Sequence, residues 1–322
     1  MTSLPLADTT GPLAMLHDVR HGLSQPQKEL SPKYFYDHRG SELFEAITQL
    51  PEYYLTRTER SILERDADAL MGALRPASLV ELGAGSAQKT RILLDAMQRA
   101  GSLECYVPLD VSASFLAETA VRLSGEYPRL RVEPIVTDFT ERVPLPASMA
   151  RPALVAFLGS TIGNFHPAEA VRVLRRARAA MTRGDRFLLG ADLRKDATRL
   201  ESAYDDAAGV TAEFNRNMLR VLNRELGADF DENAFTHRAL YDSREHRIEM
   251  HLVARHSQVV NVPGAGTFHF ASGESVRTEI SCKYDRRSLE GMLVAAGLRL
   301  EQWRTDDAGD FALVMAAREE DR

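Results

Sequence analysis

The stretch SLVELGAGS, residues 78–86, predicts a buried β-strand that runs into a glycine turn, and it decides the fold class. A helical pattern follows from Lys89 to Ala100. The glycines at 83 and 85 allow a tight turn and bring the backbone close to a ligand, which side chains would prevent. An acidic residue, Glu81, precedes the first glycine. A strand, an acid and Gly-x-Gly in this order are typical of a nucleoside-binding turn.

Two kinds of nucleoside ligand and a purely structural role compete for this turn. A dinucleotide site needs Gly-x-Gly-x-x-Gly, and Gln88 stands at the third glycine position. Such a site also places phosphates at the helix N-terminus. S-adenosylmethionine (SAM) has no phosphate and carries a positive sulfonium, so an acidic lining favours SAM. That the two glycines serve only a tight strand–helix turn stays open as a third interpretation.

The composition indicates an ordinary globular protein of one large or two modest domains. Its 322 residues are 44% hydrophobic and 27% charged. A net charge of −6 argues against a sequence-independent hold on nucleic acid, which needs a basic surface. The two cysteines, Cys105 and Cys282, suggest neither a disulfide framework nor a metal site. No apolar run of membrane length and no leader pattern is found, so we expect a cytoplasmic monomer that binds no membrane.

Strands and helices alternate from Ala77 onward, which predicts a parallel sheet covered by helices on both faces. The predicted strands are 78–82, 104–109, 131–136, 153–158 and 185–191, and the helices are 87–100, 113–125, 167–181 and 196–208. A ligand is expected at the carboxyl ends of such strands. Upstream, Thr56 and Glu59 have the spacing of a capping box that would begin a helix running to Leu74.

The alternation stops after Gly209, which suggests an inserted second lobe. A helix at 211–226 and strands at 236–241, 246–254 and 256–262 are too long for a simple connection, and a helix at 287–297 with strands at 299–304 and 311–317 then closes the sheet. We therefore predict a cofactor domain of 60–195 plus 286–322 and a substrate lobe of 1–59 plus 196–285. A final antiparallel strand pair fits methyltransferases better than dehydrogenases.

Polar residues at the ends of the second and third strands complete a candidate cofactor site. Asp110 can accept both hydrogen bonds of a ribose diol; it could instead cap the next helix, but the preceding glycine turn favours the ribose. Asp138 and Phe139 could hold an adenine, and core packing explains Phe139 nearly as well. Lys89 stands in the first turn of a helix, where a cation is unfavourable to the dipole, which suggests contact with an anion such as the methionine carboxylate. A surface position explains Lys89 equally well.

The fourth strand leads into FLGSTIGNF at residues 157–165, where methyltransferases present their acceptor. Enzymes that methylate exocyclic base amines carry an Asn/Asp-Pro-Pro-aromatic signature there, which this chain lacks. The two glycines and small hydroxyl residues suggest backbone groups close around a small acceptor. We assign Gly159 and Asn164 to the reacting centre and Thr161 to the substrate pocket.

Several longer blocks resemble the histidine Nα-methyltransferases of ergothioneine biosynthesis, and the resemblance covers nearly the whole chain. The blocks are PKYFYD (32–37), LPEYYLTRTE (50–59), VELGAGS (80–86), FLGSTIGNF (157–165), YDDAAGVTAEFNRN (204–217), RIEM (247–250) and TEISCK (278–283). The family transfers three methyl groups from SAM to the α-amine of L-histidine, giving hercynine. The resemblance therefore implies an α/β fold with the Rossmann-like sheet of class I SAM methyltransferases and an inserted substrate-binding lobe. Tyr34 is a departure, because family members have Trp there.

The resemblance also implies roles for individual residues. Gly83, Lys89, Asp110, Asp138 and Phe139 would bind SAM. Asn164 and Tyr204 would bind the substrate carboxylate, and Tyr36 would stand near the reacting amine. The residues implied for the imidazole pocket are Tyr53, Met250, Glu279 and Ser281, with Phe44 helping to close it.

The residue types at 279 and 281 suit an imidazole independently of the resemblance. Positions two apart on a strand share a face, so Glu279 and Ser281 would point the same way. A carboxylate can accept one ring N–H while a hydroxyl bonds the other nitrogen. Without the resemblance, a solvent-facing or salt-bridged strand glutamate is the more frequent explanation of Glu279, and ordinary core packing that of Met250.

Three other functions stay open. A related branch methylates tryptophan, whose ring needs no facing carboxylate, so Glu279 favours histidine. A dinucleotide-dependent oxidoreductase is disfavoured by Gln88 and by the closing strand pair. A silent SAM-binding module would lack turnover with any amine. For the methyl transfer itself, we expect Tyr36 to orient the amine by hydrogen bonding rather than to act as a strong base.

Overall fold

The computed structural model describes residues 11–85 and 87–319. Ser86 of the glycine turn, residues 1–10 of the predicted substrate lobe and residues 320–322 of the predicted cofactor domain lie outside the described residues. Its helices are α1 (Pro12–Leu23), α2 (His38–Thr48), α3 (Tyr54–Leu74), α4 (Thr90–Arg99), α5 (Ala113–Glu126), α6 (Pro167–Ala180), α7 (Ala197–Tyr204), α8 (Val210–Leu226) and α9 (Arg286–Ala295). Its strands are β1 (Lys28–Glu29), β2 (Ser78–Leu82), β3 (Cys105–Asp110), β4 (Arg131–Val132), β5 (Ile135–Val136), β6 (Ala153–Phe157), β7 (Arg186–Asp192), β8 (Phe235–Asp242), β9 (Arg247–Ala254), β10 (Gln258–Val262), β11 (Gly266–Phe270), β12 (Ser275–Cys282), β13 (Leu298–Thr305) and β14 (Phe311–Arg318).

The larger sheet has the order β13-β14-β7-β6-β2-β3-β4, with β5 also paired to β3. Strands β2, β3, β6 and β7 run parallel, and β14 and β13 close the sheet as an antiparallel pair. Every residue of β2 and β6 is buried, as expected for a parallel sheet covered on both faces. The predicted Rossmann-like α/β fold is confirmed. One predicted strand is divided into β4 and β5, because Pro134 between them has no N–H for the ladder.

The smaller sheet has the order β1-β12-β9-β8, and β10 and β11 form a separate hairpin. The structure adds β11 to the predicted strands and extends the strand pattern around Glu279 into the full strand β12. A continuous cluster of buried apolar residues reaches from β2 and α3 into α8, β8 and β9. The division into a cofactor domain and a substrate lobe stays a prediction.

The predicted capping box at Thr56 and Glu59 is wrong. Helix α3 begins at Tyr54, two residues earlier than Thr56, and no side chain caps it. Glu59 lies inside the helix and is fully buried. Its carboxylate has other partners, which belong to the pocket described next.

Candidate active site

A cavity of about 510 Å³ lies at the carboxyl ends of β2, β3 and β6. It brings together the predicted cofactor residues with the predicted residues of the reacting centre and part of the substrate pocket: Gly83, Lys89, Asp110, Asp138, Phe139, Tyr36, Phe44, Tyr53, Gly159, Thr161 and Asn164. Four further predicted residues, Tyr204, Met250, Glu279 and Ser281, lie outside this lining. They continue from it through Tyr53, whose ring centroid is 6.0 Å from that of Tyr204.

The glycine turn has the backbone geometry that the sequence requires. Gly83 and Gly85 have φ of 69° and 50°, the left-handed region that favours glycine. A Cβ added to Gly83 would lie 3.6 Å from the Phe139 ring, so the turn packs directly against that ring. Phe139 also makes an edge contact with Phe157, at 5.4 Å between centroids. The turn therefore leaves its backbone open along the cavity.

Asp110 organises the turn and faces the cavity. Its carboxylate accepts hydrogen bonds from the backbone N–H groups of Gly85 at 3.1 Å and Ser112 at 3.0 Å. Ser112, not Asp110, is the N-cap residue of α5. Burial raises the pKa of Asp110, while these N–H groups oppose the shift. Asp138 is arranged similarly, with Oδ1 accepting from the Thr140 N–H at 2.8 Å and its hydroxyl at 2.5 Å.

Glu81 ties the turn to its surroundings. Its buried carboxylate accepts hydrogen bonds from the Tyr106 hydroxyl at 2.5 Å and the Thr90 hydroxyl at 2.7 Å. Burial raises its pKa to about 7, and the two hydroxyls oppose that shift. Glu81 thus joins β2 to β3 and to the first residue of α4.

Lys89 and Gly159 share one partner that the sequence reasoning missed. The Lys89 ammonium forms an ion pair with Glu59. The Gly159 N–H donates to both carboxylate oxygens of Glu59 at 2.9 Å, so this N–H is not free for an acceptor substrate. A Cβ on Gly190 would lie 1.9 Å from Glu59 Oε1, so glycine at 190 makes room for the carboxylate. Glu59 therefore connects α3 with the start of α4 and with the segment after β6.

The segment after β6 forms a short 3-10 turn, Thr161–Asn164, that lines the cavity. The Thr161 hydroxyl donates to the Leu158 carbonyl at 2.9 Å. A Cβ on Gly163 would lie 2.9 Å from the Cys282 carbonyl oxygen, so glycine lets this turn press against β12. The turn that brings Asn164 to the cavity therefore packs against the strand that carries Glu279 and Ser281.

The aromatic side chains of Tyr36, Phe44 and Tyr53 line another part of the cavity, called here the aromatic wall. The Tyr36 ring makes edge contacts with Phe44 at 5.7 Å and with Phe214 at 5.8 Å, and Phe44 lies 6.2 Å from Tyr53. Phe214, on α8, was not predicted, although it lies within the block at 204–217. Burial and the nearby Glu279 carboxylate raise the pKa of Tyr36 well above its ordinary value. Its phenol is therefore a neutral donor and not a ready base.

Glu279 and Met250 lie directly opposite each other on β12 and β9, and so share a face of the smaller sheet. Met250 is 1% exposed, whereas Glu279 is half-buried. No hydrogen bond to the Glu279 carboxylate is formed by the residues that the structure describes. Burial raises its pKa to about 7, and the Lys283 ammonium opposes this shift. The site thus holds an acceptor whose hydrogen-bonding capacity is free for a ligand.

Ser281 and Tyr204 meet beside this carboxylate. Their hydroxyl oxygens are 2.8 Å apart, and both accept from the Lys283 ammonium at 2.9 Å. Lys283 and its counter-ion Asp192, 2.8 Å away, are fully buried. Neither was predicted, although Lys283 lies in the block at 278–283.

Within the described ranges 11–85 and 87–319, no cluster of His, Cys, Asp and Glu has the arrangement of a metal site. Over the same ranges, none of the helices combines the length and apolar character that crossing a bilayer requires.

A glycine turn after β2, carboxylates after β3 and β5 and a closing antiparallel pair define a SAM-dependent methyltransferase. The same fold is seen in a solved SAM-dependent methyltransferase from Clostridium acetobutylicum, with a TM-score of 0.51 at 10% identity over 87% of this chain and 99% of that one. The model of the family described as "Histidine-specific methyltransferase, SAM-dependent" matches residues 15–318. The chain belongs to this family.

Relatives carry more specific names. A "Histidine N-alpha-methyltransferase" from Mycobacterium tuberculosis is 48% identical over 315 residues, which cover 97% of this chain and 98% of that protein. An "Ergothioneine biosynthesis protein 1" from Neurospora crassa is 28% identical over 86% of this chain, which matches 32% of that longer protein.

Proposed function

We propose that this enzyme transfers three methyl groups in turn from SAM to the α-amino group of L-histidine, giving hercynine for ergothioneine biosynthesis. The observation that carries the proposal is the Glu279 carboxylate, half-buried and free to accept, beside the hydroxyl pair of Tyr204 and Ser281. An acceptor beside a donor is complementary to an imidazole, which has one N–H and one bare nitrogen. The relatives named for histidine methylation support the same substrate.

The cofactor end has the features that SAM requires. Positive-φ glycines keep side chains away from the ligand, and Asp110 offers a buried carboxylate to a ribose. Asp138 and Phe139 would receive the adenine, and Lys89 the methionine carboxylate. When bound, SAM supplies an electrophilic methyl group on a sulfonium.

The substrate end would hold histidine with its amine directed at the cofactor. Asn164 and Tyr204 would bind the carboxylate. The imidazole would lie among Tyr53, Met250, Glu279 and Ser281, with Phe44 closing the pocket. In this division of labour, residues 1–59 and 196–285 supply the substrate lobe, while 60–195 and 286–322 supply the cofactor domain.

The transfer is an in-line displacement that depends on alignment, with reacting atoms about 3–3.5 Å apart. The neutral amine forms the new N–C bond as the C–S bond breaks, and the product ammonium must release a proton before the next transfer. The third product has no N–H and cannot react again. Tyr36 with its raised pKa would orient the amine as a hydrogen-bonding partner. The aromatic wall of Tyr36 and Phe44 would stabilise the growing cation.

Mass spectrometry of the purified protein incubated with SAM and L-histidine, L-tryptophan or buffer tests the proposal. Histidine gaining three methyl groups, with SAM consumed, is the expected result. Methylated tryptophan with unchanged histidine would overturn the proposed substrate while leaving the family assignment intact.

We further propose that the protein is a monomer, which size-exclusion chromatography with light scattering tests. The net charge of −6 supports the proposal that nucleic acid is not a partner. A cytoplasmic location is proposed with it.

A further inference from the structure

Lys283 is a buried cation at the substrate end, and it has no part in the substrate and cofactor contacts proposed for the other residues. It follows β12 directly and its side chain is fully buried. Its Nζ lies 2.9 Å from Tyr204 Oη, 2.9 Å from Ser281 Oγ and 2.8 Å from Asp192 Oδ2. An ammonium has three N–H donors, so these three acceptors satisfy it completely. Asp192 supplies the counter-charge that burial of a cation demands.

The three contacts restrict what the two hydroxyls can do. Tyr204 and Ser281 each accept one N–H from Lys283, and one proton must lie between their oxygens, which are 2.8 Å apart. The two hydroxyls carry two protons in total, so one O–H is left to point away from the group. While these contacts persist, the pair keeps one O–H available to donate to a neighbouring acceptor.

We propose that Lys283 is a positioning residue for the methylation reaction: it turns the hydroxyls of Tyr204 and Ser281 into a hydrogen-bond donor toward an acceptor atom of the bound amino acid. The inference rests on the proposed function and extends it. The acceptor is a substrate carboxylate oxygen or the bare nitrogen of a neutral imidazole. A protonated ring is disfavoured, since it would offer only N–H groups and would bring a second cation toward the buried ammonium.

A purely structural role for Lys283 predicts a different outcome, and the chain offers a matched control. Lys195 is the second buried cation on Asp192, with Nζ 2.5 Å from Oδ1 and 2.8 Å from the Tyr54 hydroxyl. Within the part of the chain that the structure describes, the partners of the Lys195 ammonium are Tyr54, Asp192 and the Leu193 carbonyl, not Tyr204 or Ser281. Replacing either lysine by methionine removes one counter-ion of Asp192, but only Lys283 touches the two hydroxyls.

The experiment measures KM and kcat for L-histidine, together with calorimetric binding of histidine in the presence of S-adenosylhomocysteine, in Lys283→Met and Lys195→Met. We expect Lys283→Met to raise the histidine KM and dissociation constant about tenfold, which corresponds to the loss of one hydrogen bond between the protein and the bound histidine. Its kcat should fall less than its KM rises. Lys195→Met should leave the histidine KM within about twofold, in keeping with a cation that touches neither hydroxyl.

A second background keeps the test decisive. In a Tyr204→Phe/Ser281→Ala protein the hydroxyls are gone, so adding Lys283→Met should change histidine binding by less than about twofold. If Lys283→Met does not fold, Lys283→Leu is measured instead, and in both variants Asp192 keeps its ion pair with Lys195. Equal effects of Lys283→Met and Lys195→Met, or an undiminished effect in the double background, would overturn the inference. Histidine binding without turnover in the wild type would defeat the proposed reaction and leave only the inferred hydrogen bond to the bound amino acid standing, and no binding at all would defeat both.

Discussion

The cofactor end and the substrate end of the cavity draw their residues from the chain in different ways. The cofactor end is built from Gly83, Asp110 and Asp138, which lie at or just after the ends of β2, β3 and β5, neighbouring parallel strands of one sheet. The substrate end takes Tyr36, Tyr204 and Ser281 from distant parts of the chain and joins them through buried polar contacts. Local sequence thus specifies the first end, whereas the second depends on long-range contacts that hold it in place.

Glu59 is where the two ends meet, and its loss should have the largest effect. Glu59→Gln leaves the Lys89 ammonium without its counter-ion in a largely buried position. Breaking such a pair costs about 3 kcal/mol of unfolding free energy. We expect a melting temperature several degrees lower and weaker binding of SAM, measured by thermal denaturation and calorimetry.

The double variant Glu59→Gln/Lys89→Met is the control, because it removes both charges. It should recover much of the lost stability but not the binding of SAM, if Lys89 binds the methionine carboxylate. Full recovery of SAM affinity in the double variant would show that Lys89 serves Glu59 alone.

Glu279→Gln sharpens the comparison, because it should affect only the substrate end. A hydrogen bond from the imidazole to a charged carboxylate is worth about 1.5–3 kcal/mol, so kcat/KM for histidine should fall about 10- to 100-fold. The dissociation constant of SAM should stay the same. Glu249→Gln is the matched control, since Glu249 lies on the adjacent strand β9 but pairs with Arg247 and His251. An equal loss in both variants would indicate damage to the sheet and not to a substrate contact.

The outcome of the sequence predictions follows the same division. The strands, the helices and the glycine turn are each specified by nearby residues, through the period of hydrophobic residues and the residues that favour turns, so their order was predictable. Glu59 was misassigned as a helix cap, because its partners Lys89 and Gly159 are far away in the sequence. Glu59, Phe214 and Lys283 all lie inside the blocks that carry the family resemblance, which is the one signal that could have found them.

Asp192 had no such signal. It ends a buried strand, β7, and looks like an ordinary strand terminus. Its role depends on Tyr54, Lys195 and Lys283 converging on one carboxylate. Only the packing of α3 and β12 against β7 brings these residues together, and neither hydrophobic period nor residue spacing encodes that packing.

The pH dependence of the reaction tests the substrate end more finely. The pKa of Glu279 is raised to about 7 by burial, so its carboxylate is mostly protonated at pH 6 and ionised at pH 8. The ratio of kcat/KM between wild type and Glu279→Gln cancels the titration of histidine itself. We expect this ratio to rise about tenfold from pH 6 to pH 8, as the charged acceptor forms. A ratio that stays flat would mean that Glu279 does not change its charge in this range. Glu249→Gln should give a flat ratio, because ion pairs and hydrogen bonds lower the pKa of Glu249 to about 2.

Substitution in the aromatic wall should have the smallest effect on the reaction, because the interaction of one ring with a cation is weak. Phe44→Leu keeps an apolar side chain but removes one ring face beside Tyr36. A cation over an aromatic ring gains about 0.5–1 kcal/mol at a partly exposed site. Each transfer forms an ammonium beside this ring, so all three transfers should slow about two- to fivefold. Mass spectrometry of the mono-, di- and trimethylated products over time measures this. Phe230→Leu is the control, since the ring contacts of Phe230 are with Phe235 and Phe270 and not with Tyr36 or Phe44. Slowing of all three transfers in Phe44→Leu, with Phe230→Leu unchanged, would support stabilisation of the cation, whereas unchanged rates in Phe44→Leu would rule it out.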